Sequence, residues 1–130
     1  MDVLRLTLPE PPSLNTMWRK WRNRMVLSAA GRAFKQAVAM KGLAAVYKGY
    51  KGSARAVAFP TGDLLVTVYW YRSSKRGDLD NRIKAILDAL QGTVYRNDKQ
   101  VAKIVAERID GAGRIPRVEV EIERFGGKTP

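Results

Sequence analysis

Asp78 and Asp80 stand two residues apart in the stretch Arg76-Gly77-Asp78-Leu79-Asp80-Asn81-Arg82, where a helical pattern begins. A cationic chain that sets two carboxylates among its own arginines offers a place for a hard divalent ion. Mg²⁺ takes one or two carboxylates and completes its shell with water and phosphate oxygen. Metal-assisted chemistry on a nucleic-acid phosphate is therefore the first expectation. A structural reading stands beside it, because acids in the first turn of a helix cap free N–H groups and complement the macrodipole.

A third acid, Asp98, follows in the polar turn Arg96-Asn97-Asp98-Lys99-Gln100. The helix between the two acidic segments spans roughly 20 Å. A chain returning through Thr93 to Tyr95 would bring Asp98 back toward Asp78 and Asp80. Three converging carboxylates would make an oxygen-rich cation site suited to Mg²⁺ or Mn²⁺. Lys84 comes four residues after Asp80, and Asp88 four after Lys84, so the three share one helical stripe. That stripe is either a solvated ion-pair ladder, or it sets Lys84 beside the acids to neutralise phosphate charge or orient a water. Asn81 faces the same side and can hydrogen-bond a carboxylate or a phosphate, or simply serve the helix start.

Composition removes the competing chemistries. The 130 residues include no cysteine and no histidine. Disulfides, zinc-thiolate sites, Ser-His triads and imidazole ligands are all excluded. The net charge is +12, and it is one-sided. No acid occurs between Glu10 and Asp63, an interval holding Arg19, Lys20, Arg22, Arg24, Arg32, Lys35, Lys41, Lys48, Lys51 and Arg55. Such asymmetry is the footprint of a polyanion partner, with a merely solvated face as the plainer alternative. Trp18 and Trp21, interleaved with Arg19, Lys20, Arg22 and Arg24, suit stacking on bases exposed at a branch point, or else anchor a loop. No apolar run has the length of a membrane span and no signal-peptide pattern opens the chain, so the expectation is a cytoplasmic protein without a membrane partner.

The elements that must position these residues follow from periodicity. Val3, Leu4, Leu6 and Leu8 predict a strand ended by Pro9, and Ser13 to Asn23 reads as an irregular basic loop. Ser28 predicts the cap of a helix to about Tyr47, with Phe34, Val38 and Ala45 buried. Residues 51–62 read as a loop, and Leu64 to Tyr71 as a core strand. After the basic turn from Arg72 to Gly77, the spacing of Ile83, Ile86, Leu87 and Leu90 predicts a helix stopped at Gly92. Val101–Ile109 and Val118–Ile122 predict two more strands, with Gly111, Ala112, Gly113 and Pro116 turning between them. The order β-α-β-α-β-β predicts a small α/β domain of the α+β type: a mixed sheet with two main helices packed on it. One domain over residues 1–125 and a flexible tail over 126–130 are expected.

The ordered motifs resemble the RusA family of Holliday-junction resolvases, small endodeoxyribonucleases of phages and prophages. Leu8-Pro9-Glu10-Pro11-Pro12-Ser13-Leu14-Asn15 is similar to the family's "LP.PPS.N" segment. Asp78-Leu79-Asp80-Asn81, Lys84 and Asp88-Ala89-Leu90 are similar to its "DLDN..K...DAL" signature, and Asn97-Asp98-Lys99-Gln100-Val101 to its "DD.QV". The resemblance runs from about Leu4 to Ile122. It implies Asp78, Asp80 and Asp98 as catalytic and Mg²⁺-binding acids, Lys84 as a catalytic lysine, and Asn15 near the DNA. With the basic residues Arg72, Lys75 and Arg76, and with Asn81, these complete the expected DNA-binding set. The resemblance also implies a homodimer making paired phosphodiester cuts in opposed strands of a four-way junction, leaving 5′-phosphate and 3′-hydroxyl nicks, in recombination and repair. Asn97 and Gly77 depart from common family residues, an acid and a basic residue respectively. A broader branched-DNA or flap endonuclease, and a non-catalytic DNA-binding protein, are the alternatives.

Overall fold

The structure, a computed structural model, describes residues 3–49, 57–72, 77–111 and 115–126, with the side chains of 14–15 and 46–49 excepted. Strand β1 (Val3–Leu8) leads into a single helical turn, α1 (Leu14–Met17). Strands β2 (Trp18–Trp21) and β3 (Arg24–Leu27) precede the long helix α2 (Ala29–Gly49). Then come β4 (Leu64–Tyr71), α3 (Leu79–Leu90), a 3-10 turn (Asp98–Gln100), β5 (Val101–Ile109) and β6 (Arg117–Arg124).

Four strands form one mixed sheet in the order β1-β6-β4-β5. β6 is antiparallel to both β1 and β4, whereas β4 and β5 are parallel. A parallel pair needs a crossover, and α3 supplies it. One face of the sheet is apolar: Leu4, Leu6 and Leu8 align with Val118, Val120 and Ile122, and these with Leu64, Val66, Val68 and Trp70. Helices α2 and α3 cover that face, contributing Phe34 and Val38, and Ile83, Ile86 and Leu90. The opposite face carries Arg5, Thr7, Thr67, Tyr69, Glu119 and Glu121, with Arg5 and Glu121 paired at 3.1 Å. The alternation along Val118–Glu123 thus separates core from water as its period of two requires. Among the described residues, no helix is long and apolar enough to cross a membrane.

Two segments differ from the sequence expectation. The basic loop from Ser13 to Asn23 is ordered, as α1 followed by the first arm of a hairpin in which Trp18 pairs with Leu27 and Trp21 with Arg24. Every residue of β2 is exposed, so no apolar alternation marked it. Its two-residue turn also holds Arg22 rather than glycine at positive φ (56°). In the expected loop of residues 51–62, Val57, Ala58 and Phe59 are core residues, and the Phe59 amide donates to the Val94 carbonyl at 2.9 Å. Three apolar residues before a proline are too few to show a period. Residues 51–56, Ala112, Gly113 and the tail from 127 lie outside the described residues.

Candidate active site

Helix α3 sets the acids by its own period. Ile83, Ile86 and Leu90 turn into the core, which leaves Asp80, Lys84 and Asp88 on another stripe. A groove of about 520 Å³ runs along that stripe. Its polar lining is Asp80, Lys84, Asp88 and Asp98; Leu79, Ile83, Leu87 and Ala106 form the apolar part. The Lys84 ammonium lies 3.9 Å from the Asp88 carboxylate, both partly exposed. That pair is worth only tenths of a kcal/mol in stability, so it leaves Lys84 available for other charge. Asp78 occupies the N-cap position of α3 with extended backbone (φ −93°, ψ 141°), yet its side chain makes no capping hydrogen bond. Capping alone does not account for that carboxylate.

The return of Asp98 is built from hydrogen bonds at the far end of α3. Gly92 N–H donates to the Tyr95 carbonyl at 2.7 Å, and Val94 N–H to the Leu90 carbonyl at 2.9 Å, which turns the chain back. Tyr95 is fully buried and its hydroxyl donates to the Leu87 carbonyl at 2.6 Å. Burial pushes that hydroxyl far above the ordinary phenol range, and the charges of Asp98 and Asp88 push it the same way. Gln91 Oε1 then accepts from the Asp98 amide at 2.7 Å. The Gln100 amide nitrogen donates to the carbonyls of Phe59 and Gly62, while its oxygen accepts from the backbone of Arg96 and Asn97. Asn97 caps the 3-10 turn by accepting from Lys99 N–H at 2.9 Å. Its side chain has a structural task at this position.

The structure brings Asp80 and Asp98 to one groove, adds Asp88, and leaves Asp78 outside the lining at the helix mouth. Among the described residues, no three acidic side chains form a cage that could hold a metal ion. The donor set still fits Mg²⁺, which needs only one or two carboxylates when water and substrate phosphate supply the rest.

A knot of side chains fixes the start of α3. The Trp70 ring is fully buried and its indole N–H donates to Glu10 at 2.8 Å. The Arg82 guanidinium lies 5.1 Å above that ring and donates to the Pro11 carbonyl. Arg82 Nε is buried with no hydrogen-bond partner among the described residues. Arg72 joins from the other side: its side chain is 6% exposed, forms a bidentate pair with Asp110, and reaches the Gly77 carbonyl at 3.4 Å. Arg72 therefore links Asp110 to Gly77, the residue before Asp78. Sequence reasoning missed Arg82, Trp70, Glu10, Tyr95 and Gln91. One signal existed: Glu10 is the lone acid between Asp2 and Asp63, and a tryptophan in a core strand needs a partner for its N–H.

Of the expected DNA-binding residues, Trp18, Arg19, Lys20, Arg22 and Arg24 stand together, all exposed, on the β2–β3 hairpin. Asn15 lies on α1, which packs against α2 and α3. Asn81 is half-buried on the first turn of α3. Lys75 and Arg76 lie outside the described residues.

The sequence model of the Endodeoxyribonuclease RusA family matches residues 9–123. The crossover junction endodeoxyribonuclease rusA of Enterobacteria phage 82 is 30% identical over 131 aligned positions, covering 98% of this chain and 100% of that protein. The match begins just after β1, runs into β6 and takes in the groove, the Pro-rich segment and the hairpin together. By that near full-length match, the chain belongs to the RusA family of endodeoxyribonucleases.

Proposed function

We propose that this protein is a Mg²⁺-dependent crossover junction endodeoxyribonuclease that resolves four-way DNA junctions as a homodimer in the cytoplasm. The observation that carries the reading is the single groove in which Asp80 and Lys84, one helical turn apart, face Asp98 from a distant turn. Asp80 and Asp98 would hold the ion, with Asp78 at the helix mouth outside the groove lining. When bound, the ion supplies Lewis-acid polarisation of a phosphodiester and a more acidic water. Lys84 places an ammonium where negative charge develops on the phosphate. The apolar wall of Leu79, Ile83 and Leu87 limits water on one side of the groove. The basic hairpin supplies phosphate attraction, which is largely independent of sequence.

Each chain carries one such groove among its described residues, whereas resolution needs a cut in each of two opposed strands. Two copies related by a two-fold axis meet that need most simply. The products would be 5′-phosphate and 3′-hydroxyl nicks that can be sealed. The test compares wild type with Asp80→Asn on junction, flap and linear duplex in Mg²⁺. Cleavage by wild type confined to the junction, lost in Asp80→Asn with junction affinity kept, is expected. Equal cutting of linear duplex would sink the specificity, and an active Asp80→Asn would sink the assignment of the site.

A further inference from the structure

The β2–β3 hairpin is more than a patch of positive charge. Strand register sorts its side chains: Trp18, Lys20, Met25 and Leu27 share one face, and Arg19, Trp21, Arg24 and Val26 the other. At the tip of the second face, the Arg22 guanidinium lies 4.5 Å from the Trp21 ring centroid and that of Arg24 6.0 Å. Trp21 nevertheless remains 41% exposed. A tryptophan serving only as a loop anchor would be buried against the body of the protein. Here the ring is presented to solvent with cations already arranged around it.

Two further features distinguish this tip from a passive loop. Arg22 holds φ at 56°, a conformation that costs an L residue backbone energy and that glycine would take freely. Strain of this kind tends to persist where the side chain is needed. The root of the hairpin, in contrast, is firmly tied. Ser28 N–H donates to the Met17 carbonyl at 2.8 Å, the Ser28 hydroxyl donates to the same carbonyl at 3.0 Å, and it accepts from Gly31 N–H at 3.0 Å. The ribbon is thus a braced arm that leaves the α1 turn, which itself packs on α3.

We propose that the β2–β3 ribbon recognises the branch point itself, with Trp21 as a stacking platform for a base unstacked at the crossover and Arg22 and Arg24 holding the flanking phosphates. This rests on the reading that the partner is branched DNA. Charge complementarity selects DNA over an apolar partner, since Arg19, Lys20, Arg22 and Arg24 have no acid near them in sequence. Stacking on an aromatic face is tolerant of base identity, and so suits recognition of a structure rather than a sequence. Linear duplex offers no free base face, which is how a stacking platform favours a junction over a duplex.

The experiment uses the full chain in EDTA, with a four-way junction carrying 2-aminopurine at the branch point or within one arm. Wild type is expected to quench the branch-point probe and leave the arm probe unchanged. Trp21→Ala should abolish that quenching and weaken junction affinity by about tenfold, with linear-duplex affinity unchanged. Trp21→Phe should restore most of both signals. Equal losses on junction and duplex, or full junction affinity and quenching in Trp21→Ala, would overturn the proposal. Cleavage in Mg²⁺ separates the two readings. Wild type that quenches the branch probe but never cuts removes the enzyme and leaves the platform. Wild type that cuts, with Trp21→Ala unimpaired in quenching, does the reverse.

Discussion

Replacing Gly77 by alanine tests whether the knot at the start of α3 is what fixes the site. Gly77 has φ +96°, where any side chain is strained. A methyl group there would also lie 2.9 Å from Arg82 Nη2, 3.2 Å from Arg82 Nε and 3.3 Å from the Trp70 ring. Trp70 is fully buried and cannot retreat, so Arg82 must. Its donation to the Pro11 carbonyl is then lost or bent. Gly92 is the internal control. Its φ is +89°, but a methyl group there meets nothing within 4 Å. The backbone term, about 1–2 kcal/mol, is common to both variants. The contact term, a hydrogen bond from a charged donor worth about 1.5–3 kcal/mol, belongs to Gly77 alone. Gly77→Ala should therefore melt lower than Gly92→Ala by roughly 6–12 °C, taking about 4 °C per kcal/mol for a domain of this size. Cleavage should fall more than junction binding, because the displaced groups hold Asp78, Asp80 and the Pro-rich segment in register rather than supplying most of the charge. Adding Arg82→Met to Gly77→Ala should cost less than the sum of the two, since both act on one contact. Equal melting temperatures for Gly77→Ala and Gly92→Ala would refute the reasoning, for they would mean that Arg82 yields freely and does not secure the helix start.

Three further outcomes are expected. Tyr95→Phe removes the donor to the Leu87 carbonyl, and should cost about 1–3 kcal/mol in urea denaturation at neutral pH. The sign of its pH dependence follows from a hydroxyl whose pKa is raised on folding: its stabilisation is complete below the ordinary value of 10.0 and drains away as pH rises beyond it, so stability above pH 10.0 should fall more steeply in wild type than in Tyr95→Phe. Arg22→Gly should raise the melting temperature by relieving the positive φ while weakening DNA binding, a trade that a purely structural turn would not show. Arg72→Ala should destabilise the fold and lower cleavage through the Gly77 turn; a variant with unchanged melting temperature but reduced affinity for every DNA form would instead make Arg72 a phosphate contact.

Much of the site was legible because it is local. The helical period alone sets Asp80, Lys84 and Asp88 on one stripe and Ile83, Ile86 and Leu90 on another, and the structure keeps both. Strands with strict alternation, such as Val118–Ile122, declare their buried face in the same way. The ribbon escaped notice because both its strands are largely solvent-facing and its turn has an arginine where a glycine is usual. Arg72 shows the same dependence on range: a basic residue beside a basic turn reads as a phosphate ligand, and its pairing with Asp110, thirty-eight residues on, comes only from the fold.

The sequence by itself determined the chemical repertoire: an oxygen-only donor set without cysteine or histidine, a single lysine on the acidic stripe, and a basic segment without acids. What only the tertiary structure decided is which distant groups close on that stripe. Asp98 joins the groove because Tyr95 buries beneath α3 and Gln91 holds the turn, while the Pro-rich segment is tied to the helix start through Arg82. The physical reason is range. A stripe follows from the geometry of neighbouring peptide units, whereas closure depends on burial and on pairings such as β4 with β5 and β6 that no local pattern encodes.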